Sequence, residues 1–335
     1  MPSQLWFGVP RWVPAPGATI RRGEADAPPL VLFAPSEGGA GEALRDALGA
    51  HHGPVTLGDL GSAPGDLAGW LAGRLPEGCP AARIVTWSPG VDPAGSAAQG
   101  MRTFEFLVAL TQALVAMRIQ SSSIIVAYPD AARPDQAAAA ALGRVLAAER
   151  PGYDLRALAV TGMAGRRAVL DRVADAIAAE WWGEPGTREL RWEADVRSMR
   201  VIESVAGDRD APWPIRPGGT YLIAGGAGGL GALVARRLVD ARAGVVLTGS
   251  RAADERIESL VSALAGGGGR ARYVPADLTD LGSVRALADA VHAEAGPVAG
   301  IVHSAGRLSD GFLIKKRPGE ADAVLGPKLV GLELL

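Results

Sequence analysis

Two apolar rhythms alternate along the chain. Short unbroken runs predict strands buried on both faces, and apolar residues spaced three or four apart predict helices. In the C-terminal part the runs are Tyr221-Leu222-Ile223-Ala224, Val245-Val246-Leu247-Thr248, Tyr273 to Leu278 and Gly300 to Gly306. Helical spacing joins them. Leu230, Leu233, Val234, Leu238 and Val239 predict a helix from about Gly229. Ile257, Leu260, Val261 and Leu264 predict a second, and Val284, Leu287, Ala288 and Val291 a third. This order, βαβαβαβ, predicts an α/β fold with a doubly wound parallel sheet.

The first two hundred residues repeat the rhythm. Strands are expected at 30–34, 54–57, 82–87, 123–127 and 155–160, and helices near 41–48, 66–75, 101–119, 135–148 and 168–181. Phe106, Leu107, Leu110, Leu114 and Met117 form an apolar stripe of the kind that faces a core. Residues 187–202 alternate as a strand pair would, and Trp181 and Trp182 read as packing or interface residues. A Pro/Gly-rich stretch from Gly207 to Gly219 marks a boundary, giving two subdomains, 1–212 and 213–335.

The chemistry lies just past that boundary. Ala224-Gly225-Gly226-Ala227-Gly228-Gly229-Leu230-Gly231 joins the first strand to the first helix. Glycines there permit a tight turn and close approach of a pyrophosphate, and a helix N-terminus offers free N–H donors and the positive end of its dipole. The next strand ends in Gly249-Ser250-Arg251. An acidic residue about 20 residues past the glycines would favour a free ribose 2′-hydroxyl; a hydroxyl beside a guanidinium suits a 2′-phosphate, which points to NADPH. Asp277 falls at a strand tip, where its carboxylate would meet the adenine amino group, and Ser304-Ala305-Gly306 ends a strand in small residues against which the nicotinamide ribose would lie. In the first half, Pro35 to Gly41 keeps only part of the glycine spacing, and Glu37 places a carboxylate where a phosphate would sit. That half reads as a non-binding copy of the fold.

Composition narrows the classes. The 335 residues are 48% hydrophobic, enough for two cores. Lys+Arg 34 against Asp+Glu 36 leaves a net charge of −2 and no electrostatic case for nucleic acid. The single Cys79 excludes an internal disulfide and a cysteine zinc site, and His51, His52, His292 and His303 show no metal-ligand spacing. No stretch has membrane-spanning length and the N-terminus does not read as a signal peptide, so a cytoplasmic protein with no membrane partner is expected.

These motifs together resemble the ketoreductase domain of polyketide synthases, a tandem short-chain dehydrogenase with a truncated structural half before a catalytic half. The resemblance runs from Leu5-Trp6-Phe7-Gly8-Val9-Pro10 onward. It rests on Gly143 to Pro151, on the Ala224–Gly231 glycine run with alanine in place of both family threonines, and on Thr248 to Arg251 with one glycine inserted. Ala276-Asp277-Leu278-Thr279-Asp280 and His303-Ser304-Ala305-Gly306 fit as well. It implies two Rossmann-like subdomains, the first degenerate and the second NADPH-binding and C-terminally incomplete. The implied cofactor residues are Gly225, Gly228, Gly229, Leu230, Gly231, Ser250, Arg251, Asp277, Leu278, Ser304, Ala305 and Gly306.

Gly326-Pro327-Lys328-Leu329-Val330-Gly331 is similar to the family's lysine helix. This implies that Lys328 is the catalytic lysine, lowering the pKa of the tyrosine that protonates the nascent alkoxide. Leu308-Ser309-Asp310 falls where B-type members carry Leu-Asp-Asp, so Leu308 and Asp310 are candidates for substrate and stereochemical control, with Ser309 departing from the pattern. The implied reaction is NADPH-dependent reduction of a β-ketoacyl thioester, carried on the phosphopantetheine of an acyl carrier protein, among other synthase domains. No Tyr follows Tyr273 and no Ser follows Ser309. The family's catalytic Ser, Tyr and Asn are therefore expected outside this polypeptide, which alone is expected to be inactive. A fragment of a longer synthase, half of a split enzyme, a scaffold or NADPH-binding module, and a stand-alone short-chain dehydrogenase are the alternatives.

Overall fold

Runs rich in Val, Ile, Leu and Ala form the central strands in both halves, and alternate side chains of each run face opposite helix layers. The structure, a computed structural model, describes residues 7–15, 27–60, 65–88, 96–129, 134–161, 166–181, 187–194, 196–205 and 214–335. Leu5, Trp6, Trp182 and most of the expected Gly207–Gly219 linker lie outside the described residues. The chain divides into two compact units, Met1–Gly207 with Gly311–Lys316, and Asp208–Asp310 with Arg317–Leu335.

In the first unit the strands are β1 (Phe7–Pro14), β2 (Leu30–Ala34), β3 (Val55–Asp59), β4 (Ala81–Trp87), β5 (Ser121–Tyr128), β6 (Tyr153–Thr161), β7 (Glu189–Glu193) and β8 (Val196–Val205). The helices are α1 (Ala40–His52), α2 (Leu67–Ala72), α3 (Ser96–Ala116), α4 (Pro134–Glu149) and α5 (Arg166–Glu180). They build an eight-stranded sheet of order β1-β8-β7-β6-β5-β4-β2-β3. As expected, β2 to β7 pair in parallel; the strand pair expected at 187–202 is β7 with β8, and β8 runs antiparallel to both β7 and β1. A short hairpin through Ala194 allows this reversal, where a parallel pair would need a long crossover.

Val31, Phe33, Ile84, Ile124 and Val126 face one layer with Leu107, Leu110 and Leu114 of the expected stripe. Leu30, Leu32, Val85 and Ile125 face the other with Leu44, Leu48 and Ile177. Leu313, from the returning segment Gly311–Lys316, is buried in the first of these cores. Gln112 Nε2 donates to the carbonyls of Leu313 (3.0 Å) and Lys316 (2.8 Å), and Leu313 N donates to Glu149 Oε2 (2.9 Å).

His52, in the last turn of α1, packs edge-on against Trp181 with ring centroids 5.4 Å apart. Burial, reinforced by the Arg83 charge and partly opposed by the Pro28 carbonyl, holds its pKa below the ordinary 6.5. The unfolded chain therefore takes up this proton more readily. The associated stability is complete above pH 6.5 and is lost as pH falls below it. We expect the urea midpoint of the wild type to drop between pH 7.5 and 5.5, and His52→Gln to flatten that drop; parallel pH profiles for the two proteins would refute the assignment.

The second unit carries β9 (Thr220–Ala224), α6 (Gly229–Asp240), β10 (Gly244–Gly249), α7 (Glu255–Ala265), β11 (Ala271–Pro275), α8 (Leu281–Ala295), β12 (Gly300–His303) and α9 (Glu320–Leu334). Its four strands pair in parallel in the order β11-β10-β9-β12. Tyr221, Ile223, Val245 and Leu247 pack with Ala235, Leu238 and Leu264 on one face. Leu222, Ala224 and Val246 pack with Val284, Leu287 and Val291 on the other. Successive strands step outward from β9 through β10 to β11, and β12 then returns to the far side of β9. That reversal opens a crevice at the carboxyl ends of β9 and β12, the place where ligands bind in open α/β sheets.

Candidate functional site

The crevice is framed by the turn that leaves β9. Gly225 sits at φ +69, and a Cβ there would stand 2.7 Å from the backbone of Ser304 and Ala305. Ser304 closes the same junction, its N and its Oγ both donating to the Ala224 carbonyl at 2.9 Å. Gly225 N and Gly226 N donate to the Thr248 carbonyl, tying the turn to the end of β10. Gly231 lies under the turn, where a Cβ would be 2.4 Å from the Gly225 carbonyl oxygen. Helix α6 starts at Gly229 behind the N-cap Gly228, with no capping side chain, so N–H groups of its first turn remain for an outside acceptor. A Cβ at Gly229 would meet nothing within 4 Å. Close-packed glycine below and open space in front make the cradle that a pyrophosphate needs.

A cleft of about 370 Å³ extends from this cradle. Of the residues singled out in the sequence, Gly225, Gly228, Ser250, Arg251, Asp277, Leu278, Ser304, Ala305 and Gly306 line it. Gly229 and Leu230 form the first turn of α6, with Leu230 75% exposed. Lys328 is on α9, and its Cε would be 3.1 Å from a Cβ placed on Gly306, so its side chain lies alongside the nicotinamide end expected of the cleft. Leu308 is 88% exposed and Asp310 is also exposed; neither lines the cleft.

Asp277 does more locally than the sequence suggests. Its Oδ1 accepts from Thr279 N (2.9 Å) and Thr279 Oγ1 (2.7 Å), which draw its pKa below the usual carboxylate value. The carboxylate is thus ionised and oriented as an acceptor. Sequence reasoning passed over Tyr273, Thr279, Asp322 and Pro327 as lining residues. For Thr279 the signal was present, since Asp-x-Thr is an Asx-turn pattern. For Tyr273 and Asp322 only the strand register and the helix rotation reveal that they face the crevice.

In the first unit the corresponding loop is spent differently. Ser36 N donates to the Asp59 carboxylate (3.2 Å), Glu37 stands in the adjoining 3-10 turn, and Glu42 occupies the first turn of α1. Negative charge concentrated at this helix start opposes a phosphate.

Fold and cleft together define a Rossmann-type α/β protein with an open, glycine-framed cleft in its second unit. Residues 219–335 match the family model described as KR domain. Polyketide synthase PksL of Bacillus subtilis (strain 168) is 42% identical over 153 residues, covering 44% of this chain and 3% of that protein. Polyketide synthase ThaG of Burkholderia thailandensis is 31% identical over 246 residues, covering 70% of this chain and 4% of that protein. The chain therefore spans only a few hundredths of the length of these curated relatives. Among solved structures, an N-terminal ketoreductase from the macrolactin assembly line aligns with a TM-score of 0.80 and 23% identity, covering 98% of this chain and 71% of that one. The first ketoreductase of the tylosin synthase aligns with a TM-score of 0.72 and 22% identity, covering 98% and 68%. Residues 219–335 of this chain belong to the KR domain family, and the chain is similar to polyketide synthases.

Proposed function

We propose that this chain supplies the cofactor-binding half of a ketoreductase that uses NADPH to reduce a β-ketoacyl thioester to the β-hydroxyacyl thioester. The observation that carries this reading is the cradle at β9–α6, where Gly225 is locked against Ser304–Ala305 while the space before Gly229 stays open. When bound, the nicotinamide supplies a hydride to the substrate carbonyl carbon. The first-turn N–H groups at Gly229, Leu230 and Gly231 hold the pyrophosphate, aided by the positive end of α6. Ser250 and Arg251 take the 2′-phosphate, and Asp277, kept ionised by Thr279, accepts from the adenine amino group. Leu278 flanks the adenine, and Ser304, Ala305 and Gly306 let the nicotinamide ribose lie against backbone.

Lys328, beside Gly306, holds that ribose and favours the charged form of a neighbouring tyrosine that gives its proton to the developing alkoxide. Tyr273, the cleft's own tyrosine among the described residues, has its hydroxyl engaged with backbone carbonyls. The proton donor is therefore assigned to another segment of the synthase, and this polypeptide alone is expected to give no turnover. Leu308 and Asp310 are assigned to guiding the acyl chain for a B-type outcome. The substrate arrives on the phosphopantetheine arm of an acyl carrier protein within a multidomain synthase. Among the described residues no helix is long and apolar enough to cross a membrane; we place the synthase in the cytoplasm.

The test is NADPH titration of the wild type and Gly229→Val. The new side chain projects into open space, so thermal melting stays unchanged while NADPH affinity falls by about tenfold or more, the equivalent of about 1.4 kcal/mol. Equal affinities would favour a scaffold. NADPH oxidation by the isolated chain with a β-ketoacyl thioester surrogate would overturn the assignment of the proton donor.

A further inference from the structure

The turn carrying Ser250 and Arg251 is held by a side chain that the proposed chemistry does not use. Tyr273 lies on β11, paired in register with Leu247 of β10. Its ring is partly buried against the core of the second unit, and its hydroxyl reaches past the end of β10. There the oxygen lies 3.0 Å from the Gly249 carbonyl and 2.7 Å from the Arg251 carbonyl, so its single proton is shared between the two. Burial raises the phenol pKa, with the Arg251 charge in partial opposition, so the hydroxyl remains a donor at neutral pH.

The loop has few other anchors. Gly249 accepts from Ala276 N, and Asp254 caps α7 by accepting from Ile257 N. Among the described residues, no hydrogen bond other than that from Tyr273 ties Ser250, Arg251, Ala252 or Ala253 to the rest of the protein. Gly249 leaves room for the arrangement, since a Cβ there would stand 3.1 Å from the Tyr273 oxygen.

We propose that Tyr273 is a positioning residue that sets the preference of this cleft for a dinucleotide bearing a 2′-phosphate over one without it. The proposal rests on the dinucleotide reading above. Ser250 and Arg251 are the groups offered to the 2′-phosphate, and the Tyr273 tether fixes the backbone from which both project. A nucleotide without that phosphate makes no use of the Arg251 guanidinium, so releasing the tether costs the phosphorylated ligand and spares the other. Pyrophosphate, adenine and nicotinamide contacts come from other segments and are shared by both ligands.

The experiment measures NADPH and NADH affinities for the wild type, Tyr273→Phe and Gly249→Ala by calorimetric titration. Tyr273→Phe removes only the hydroxyl; Gly249→Ala pushes it away while leaving the tyrosine in place. Both are expected to weaken NADPH binding by about three- to tenfold, the worth of one hydrogen bond, with NADH affinity unchanged. An unchanged NADPH-to-NADH ratio, or equal loss for both nucleotides, overturns the proposal while leaving the dinucleotide site intact. A wild type that binds neither nucleotide overturns the dinucleotide reading itself. Circular dichroism checks each variant, and if Tyr273→Phe does not fold, the Gly249→Ala ratio decides.

Discussion

Glu180→Ala is expected to lower the stability of the first unit by about 3–5 kcal/mol, the cost of removing one member of a buried ion cluster. Glu180, at the end of α5, is 1% exposed. Its Oε1 accepts from Arg197 Nε (2.6 Å) and Trp192 Nε1 (2.7 Å), and its Oε2 from Arg197 Nη2 (2.9 Å). Arg156 is buried beside it, 3.7 Å from Oε2, and donates to the Glu180 backbone carbonyl at 2.7 Å. On its other side Arg156 bonds Asp154 through Nε (2.6 Å), and Asp154 also pairs with Arg188. Removing the carboxylate takes away the acceptor of buried Arg197 Nε and Nη2, while Arg156 keeps Asp154, and the burial penalty of losing that acceptor dominates the loss.

The natural control is Glu203→Ala. Its partner Arg11 bridges from β1 to β8 at 2.8 Å, with side chains 60% and 52% exposed. Water screens that pair, so its loss is expected to cost no more than about 1 kcal/mol. Urea denaturation followed by tryptophan fluorescence reports on both variants, because Trp192 is itself bonded to Glu180. Equal costs for the two substitutions would show that the buried cluster has no special weight.

Gly225→Ala is expected to damage the second unit and the proposed cofactor site together. The residue occupies the left-handed region at φ +69, which costs an L-residue about 1–2 kcal/mol. Its new Cβ would also meet the Ser304 carbonyl oxygen and the Ala305 N and Cα, each at 2.7 Å. These are backbone atoms at the end of β12 and have no rotamer to change, so overpacking adds about 1–3 kcal/mol. We expect a lower melting temperature and NADPH affinity reduced by more than about tenfold. The contrast with Gly229→Val separates two roles in one loop: loss of binding with unchanged melting at 229, and loss of both at 225. Wild-type melting and wild-type NADPH affinity in Gly225→Ala would contradict the packing at this junction.

The parallel strands were legible because burial on both faces demands unbroken apolar runs, as at Leu30–Ala34 and Thr220–Ala224. Strand β1 was not legible by pattern. Phe7–Pro14 contains Pro10 and Pro14, which fit a strand with one unpaired side; β1 is such an edge strand and exists because β8 leaves an edge for it to pair with. The antiparallel pairing of β8 with β1 likewise joins segments far apart in the chain, whereas β7 and β8 form the local strand pair expected at 187–202. Asp277 was picked out for the adenine, but its prior engagement by Thr279 required coordinates.

The sequence by itself determined the α/β alternation, the glycine cradle and the hydroxyl–guanidinium pair after β10, because periodicity and backbone freedom are local properties of consecutive residues. Only the tertiary structure decided that Gly225 is locked by Ser304 and Ala305, that Lys328 lies beside Gly306, and that the Tyr273 hydroxyl tethers the Arg251 turn. Those contacts join residues from different strands and helices. Their distances are set by sheet register and helix packing, which no single stretch of sequence contains.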